Sequence, residues 1–152
     1  MNEDNIADQN GLEKSKLLLK SLDFFSIFTD EELNSFLEIS EIKKYNAHQH
    51  IIRENTKGDF FYVIIRGTVN IIIKGRNDVK RTVTTLRKGD CFGEIAVILD
   101  QPRSASILAI SDCYVSKIDG KGIEKLSLEI REKLFRQFSI SLSKRLIRSS
   151  GK

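Results

Sequence analysis

The chain has 152 residues, 40% of them hydrophobic and 30% charged, with a formal net charge of +4; this is the make-up of one ordinary globular domain and excludes intrinsic disorder as the default. No apolar run approaches the roughly 18 residues that span a bilayer, and Met1 is followed by an acidic, polar stretch, so neither a membrane segment nor a secretory signal is expected and a cytoplasmic location is. Cys91 and Cys113 are too few and too far apart for a disulfide framework or a thiolate metal site.

Residues 1–10 read as a disordered tail and residues 11–152 as a single domain, with helices over 12–42, a β-barrel over 43–118 and a helical segment over 120–148. Thr29-Asp30-Glu31-Glu32 is a capping box, in which the threonine hydroxyl and the glutamate each satisfy a free amide at a helix start. Leu33, Phe36 and Leu37 follow as its buried stripe.

After Ile42 short β-branched and aromatic runs are punctuated by Gly58, Gly67, Gly75 and Gly89. Strands are expected near 44–52, 59–66, 68–74, 80–86, 104–110 and 113–118, a spacing that fits a barrel or jelly roll. From Ile123 the period lengthens, with Ile123, Leu126, Ile130, Leu134, Phe138, Leu142 and Leu146 three or four apart, so a long amphipathic helix ends the chain. Seven basic residues from Arg131 to Lys152 against the single acid Glu132 give that helix a solvated basic face. The fold class is mainly β with flanking helices.

Gly89 to Ser106 departs from strand-and-turn logic. Gly93 lets a backbone approach a ligand closely, and the amides after it open a short helical turn whose partial positive charge suits an anion. Arg103 adds a planar cationic fork for two phosphate oxygens, stiffened by Pro102, the one proline of the chain. Glu94 beside such an anion is unfavourable unless it accepts hydrogen bonds from the same ligand. A phosphate with a neighbouring hydroxyl, as in a ribose phosphate, meets both demands.

Phe92-Gly93-Glu94, a small apolar helix and Arg103-Ser104-Ala105 strongly resemble the phosphate-binding cassette of cyclic nucleotide-binding domains, the sensors shared by catabolite activator-type regulators, kinase regulatory subunits and cyclic nucleotide-gated channels. The resemblance extends over nearly the whole chain, through the aromatic turn and helix at 24–39, the Tyr62 to Gly67 hairpin, the Lys88-Gly89-Asp90 turn and the terminal helix. It implies a jelly roll with an N-terminal helical segment, a cassette helix and a C-terminal helical lid. Glu94 would bind the ribose 2′-hydroxyl, Arg103 the cyclic phosphate, Ser104 a phosphate oxygen or the base, and the amides of Ile95 and Ala96 the phosphate. Ile71, Thr84, Leu86 and Phe92 would line the walls, Gly93 and Ala105 complete the cassette, and Leu142 with Leu146, joined by Arg145, would close over the base.

The implied ligand is a cyclic nucleotide. Ser104 replaces the threonine typical of cGMP-selective relatives and can serve either nucleotide, with cAMP placed ahead of cGMP. No cofactor or metal is implied, and no nucleophile-and-base pair accompanies the site, so a non-catalytic sensor acting on a downstream protein effector is expected. A homodimer through the C-terminal helix is compatible with its basic, amphipathic character.

Blander readings exist. Glu94 and Arg103 could form a surface ion pair, Ser104 could be polar filler, and Phe135, Phe138, Leu142 and Leu146 could be core. His48-x-His50 with Glu54 would share a strand face as in the metal-dependent cupin-type enzymes, although no third histidine exists. Nothing follows the long helix that could form a helix-turn-helix, so no sequence-specific nucleic-acid binding is expected. A degenerate domain that keeps the fold without the ligand is the remaining alternative.

Overall fold

The hydrogen bonds expected at Thr29 set the helical base of the fold. In the computed structural model, which describes residues 3–150 and the side chains of residues 11–149, the Glu32 amide donates to the Thr29 hydroxyl at 3.2 Å and the Thr29 amide to the Glu32 carboxylate at 2.9 Å. This box opens α2 (Asp30–Glu38), which follows α1 (Glu3–Lys20) across a 3-10 turn at Asp23–Phe25. The α1 helix starts seven residues before the expected limit of the tail, because neither proline nor glycine stands between Glu3 and Gly11 to stop it. Met1 and Asn2, the rest of that segment, lie outside the described residues.

Eight strands follow: β1 (Ser40–Tyr45), β2 (His50–Ile52), β3 (Phe60–Arg66), β4 (Val69–Lys74), β5 (Lys80–Leu86), β6 (Cys91–Phe92), β7 (Ser106–Ala109) and β8 (Cys113–Asp119). They form two four-stranded sheets in the orders β1-β8-β3-β6 and β2-β7-β4-β5, with all pairs antiparallel. The helix α3 (Glu94–Leu99) interrupts the sheets between β6 and β7.

Three expectations are corrected. The sheet begins at Ser40, inside the range expected to be helical, because β1 pairs along its whole length with β8. The single strand over 44–52 is two strands around a turn, where His48 takes a left-handed φ of 72° and Gln49 Oε1 accepts the Asn46 amide. The terminal helix α4 (Leu128–Ser150) begins after a separate 3-10 turn at Gly120–Lys125, and the Ser127 hydroxyl caps it by accepting the Ile130 amide. The two-residue β6, paired to Tyr62 and Val63, is too short for any periodicity to reveal.

The period-2 alternation of side chains along a strand divides the apolar interior. On β3, Phe61, Val63 and Ile65 face a core shared with Leu19, Leu22, Phe25, Phe36, Ile130, Leu134 and Phe138 of the helices. Tyr62 and Ile64 face the other way, into a barrel core with Ile71, Leu86, Phe92, Ile107 and Val115. β3 thus contributes to both cores, as do β6 through Cys91 and Phe92 and β8 through Ile118 and Val115. The first half of α4 is fixed to the helical base by the edge-on packing of Phe138 against Phe61 at 4.9 Å, by the Lys133 to Glu32 ion pair at 2.6 Å and by Gln137 donating to the Phe24 carbonyl.

Replacing Thr29 with Ala removes one half of the capping box, and a loss of about 1 kcal/mol in unfolding free energy is expected. Urea denaturation measures it, with a lower midpoint at unchanged slope as the result.

Candidate functional site

The turn after β6 is fixed by backbone geometry. Gly93 lies at φ 84° and ψ −2°, in the left-handed region that glycine enters without penalty, and it is the N-cap of α3. No side chain caps this helix start, so its first amides face the space in front of the turn. That space is a cavity of about 60 Å3 lined by Phe92, Gly93, Glu94, Ile95 and Ala96 on one side, and by Arg103, Ser104, Ala105, Ile71, Ile52 and Ile107 across from them. Nine of the thirteen site residues expected from sequence therefore meet in one place.

Arg103 is 6% exposed and held at both ends. Its Nη1 donates to the Gly93 carbonyl and its Nη2 to the Phe60 carbonyl, each at 2.6 Å, while its own amide donates to the Thr56 carbonyl at 2.8 Å. A guanidinium carries five N–H groups, so each terminal nitrogen keeps one N–H for another acceptor. Gly58 makes this placement feasible: a Cβ there would lie 2.6 Å from Arg103 Nε and 2.7 Å from the Ala96 methyl. The sequence marks Gly58 only as turn punctuation, and its partner 45 residues away is visible only in the fold.

Glu94 is fully buried, and neither carboxylate oxygen has a hydrogen-bond partner among the described residues. Its nearest countercharge is Arg145 of α4, with Nη1 at 3.5 Å. Burial pushes the Glu94 carboxyl above its ordinary value of 4.5, and the charge of Arg145, the residue's own nearby backbone amide and the charge of Arg103 pull against that shift. A buried carboxylate without donors is costly to maintain; a ligand offering hydroxyl donors would satisfy it.

Beyond Arg145 lies a groove of about 260 Å3 formed by Val83, Thr84, Ile95, Leu142, Leu146, Arg148 and Ser149. Thr84, Leu142 and Leu146 thus sit together, as expected, but on the far side of Arg145 from the cassette. Leu86, two residues further along the same face of β5 as Thr84, does not line the groove: with 1% exposure it is packed into the barrel core against Val69 and Ile71. The Arg145 guanidinium lines both spaces, and its Nη2 donates to the Cys91 carbonyl at 2.6 Å.

The metal-enzyme alternative finds no support in the geometry. His48 stands in the turn before β2 and not on a strand face with His50, and Glu54 accepts the Lys74 amide at 3.2 Å. Among the described residues no three His, Cys, Asp or Glu side chains are grouped to hold a metal ion, and no helix is long and apolar enough to cross a membrane.

Because burial raises Glu94, the folded protein holds its proton more tightly than the unfolded chain does. Stability therefore falls as pH rises from the unfolded value of 4.5 through the raised folded one, and the deficit is complete above that window. Glu94→Gln removes it: without added nucleotide the variant is expected to melt about 2–4 °C higher at neutral pH. The gain should vanish near pH 4 in thermal melts run across the range.

Comparison with known proteins agrees with this arrangement. The profile of the cyclic nucleotide-binding domain matches residues 42–129. The chain is 30% identical over 118 residues to a cAMP-dependent protein kinase regulatory subunit of Eremothecium gossypii, covering 73% of this chain and 25% of that one. It is 32% identical over 105 residues to a cGMP-dependent protein kinase of Plasmodium berghei, covering 69% and 12%. It spans a quarter or less of the length of these curated relatives. A solved cyclic nucleotide-binding domain from Methylobacillus flagellatus has the same fold, with a TM-score of 0.79 at 21% identity over 92% of this chain and 80% of that one. With more than half of its length matched by the family profile and its two sheets and flanking helices arranged as in a solved member, this chain belongs to the cyclic nucleotide-binding domain family.

Proposed function

We propose that this chain is a non-catalytic sensor that binds a single cyclic nucleotide, cAMP in preference to cGMP, and signals through its C-terminal helix. The observation that carries the reading is the Glu94 carboxylate, fully buried with both oxygens lacking hydrogen-bond partners, in a cavity shared with Arg103 and the uncapped start of α3. A ribose 2′-hydroxyl supplies the donor that Glu94 lacks. The cyclic phosphate accepts the remaining N–H groups of Arg103 and the amides of Ile95 and Ala96, with Ser104 beside them. Phe92, Gly93, Ala105 and Ile71 pack around the sugar, and Thr84, Leu142 and Leu146 border the groove that takes the base.

The switch is a ligand-linked change in α4. Its first half is anchored in the helical core, whereas Leu142 is half-buried and Leu146 is 68% exposed on the groove. A purine in the groove adds apolar contact to both leucines, and that differential contact is what lets a ligand bias a helix between two positions. The effector is a protein that reads α4; the relatives named as kinase regulatory subunits and cyclic nucleotide-dependent kinases support a protein kinase. A cytoplasmic location accords with this role.

Each charge-assisted hydrogen bond from Arg103 is worth about 1.5–3 kcal/mol, so Arg103→Ala is expected to weaken nucleotide binding about a hundredfold. Calorimetric titration with cAMP and cGMP in parallel measures both the loss and the base preference. Unchanged affinity in the variant would remove Arg103 from the site. Hydrogen exchange over residues 139–150 should slow on nucleotide addition, and an unaltered rate there would refute the role of α4 while leaving binding intact.

A further inference from the structure

Arg145 separates two spaces that a cyclic nucleotide needs to occupy together. The cavity in front of Glu94 and Arg103 measures about 60 Å3, enough for water and far below the roughly 300 Å3 of a small-ligand pocket. The groove bordered by Thr84, Leu142 and Leu146 measures about 260 Å3. Ile95 and Arg145 line both, and Arg145 is the charged one, its guanidinium 3.5 Å from Glu94 and hydrogen-bonded to the Cys91 carbonyl.

The position is not a well-satisfied one. The Arg145 Nε is buried without a hydrogen-bond partner, and the approach to Glu94 at 3.5 Å is an ion pair without a hydrogen bond. Both ends of the contact therefore retain unmet hydrogen-bonding capacity. What holds Arg145 inward is the hydrogen bond to the Cys91 carbonyl together with the Coulombic pull of a desolvated carboxylate. Other strong donors could replace it there.

We infer that Arg145 sets the affinity of the site by competing with the ligand: its guanidinium stands where the ligand's hydroxyl donor must go, and nucleotide binds only as that side chain turns away from Glu94. The inference rests on the reading of the cassette as a cyclic nucleotide site and adds its regulation. Because Arg145 belongs to α4 and also bonds the backbone of β6, its turning away exchanges that contact for those the bound base makes with Leu142 and Leu146. Competition and signalling thereby act through one residue. A site open in only a tenth of the molecules binds tenfold more weakly than its open form.

The test is titration of the full chain and its Arg145→Ala, Arg145→Gln and Arg145→Lys variants with cAMP and cGMP, together with association rates by stopped flow. Ala and Gln are expected to bind about five- to tenfold more tightly and associate faster, with Lys, which keeps the charge, near the unsubstituted protein. Unchanged or weaker binding in Ala and Gln overturns the inference, since Arg145 is then a bystander or a direct ligand contact. Should the unsubstituted chain bind neither nucleotide, the sensor reading itself falls, which is a different result. Arg145→Gln retains the apolar stem and a donor for the Cys91 carbonyl, so it carries the test if the alanine variant folds poorly.

Discussion

A carboxylate taken out of water and left without donors is the constraint on which the rest of this molecule turns. Glu94 sits at 0% exposure in the first turn of α3, and its two oxygens meet no hydrogen-bond donor among the described residues. Such a group destabilises a fold by the desolvation it suffers, and proteins keep unfavourable local chemistry mainly where function requires it. The surrounding design follows from that requirement. Arg103 offsets the charge without contacting it, its fork fixed on the carbonyls of Gly93 and Phe60, so its remaining N–H groups stay directed at the same space.

The placement of these groups depends on the barrel more than on the cassette itself. Arg103 reaches the carbonyl of Phe60, the first residue of β3, and β3 carries its alternate residues into two cores, so strain at that strand would be felt on both sides. Gly58 and Gly93 then clear the volume that the guanidinium fills: a Cβ at either would stand 3.0 Å or less from an Arg103 nitrogen. Two glycines in separate turns, neither touching the other, thus define one cation's position. This is a packing argument for preorganisation, in which the donors are aimed by the scaffold before any ligand contributes contacts.

Much of this could be read in the sequence, and the parts that could not share a physical reason. Local signals worked where their partners were local: the Thr29 box, the aromatic turn at Phe24 and Phe25, and the strand periods over Phe60–Arg66 and Lys80–Leu86 appear at or within a residue of where they were expected. Order within the cassette brought Glu94 and Arg103 together because the motif itself encodes their juxtaposition. Failures came where the deciding contact was distant. β1 is a strand because β8 lies alongside it some 75 residues later, and the depth at which Leu86 is packed depends on the barrel around it. Arg145 was expected over the base together with Leu142 and Leu146, but its contact with Glu94, beyond the residues 42–129 of the family match, shows only in the packing of α4 across the groove.

The two halves of α4 explain why such a domain can respond to a molecule far smaller than itself. From Ile130 to Phe138 the buried stripe locks the helix to the aromatic base, and the Lys133 to Glu32 ion pair ties it to the same capping box that starts α2. Past Ser139, whose hydroxyl bonds back to the Phe135 carbonyl, the stripe leaves the core: Leu142 is half-buried, and Leu146 and Ile147 are 68% and 69% exposed. Side-chain hydroxyls that bond back in this way favour a bend in a helix, and the change from buried to exposed stripe falls at the same turn. A helix with one half buried in the core and the other more exposed, and in contact with the cassette through Arg145, needs little free energy to move in its second half. The magnitude at stake is that of one ion pair and a few apolar contacts, a few kcal/mol, which is also the scale of difference that one bound nucleotide can impose between two conformations.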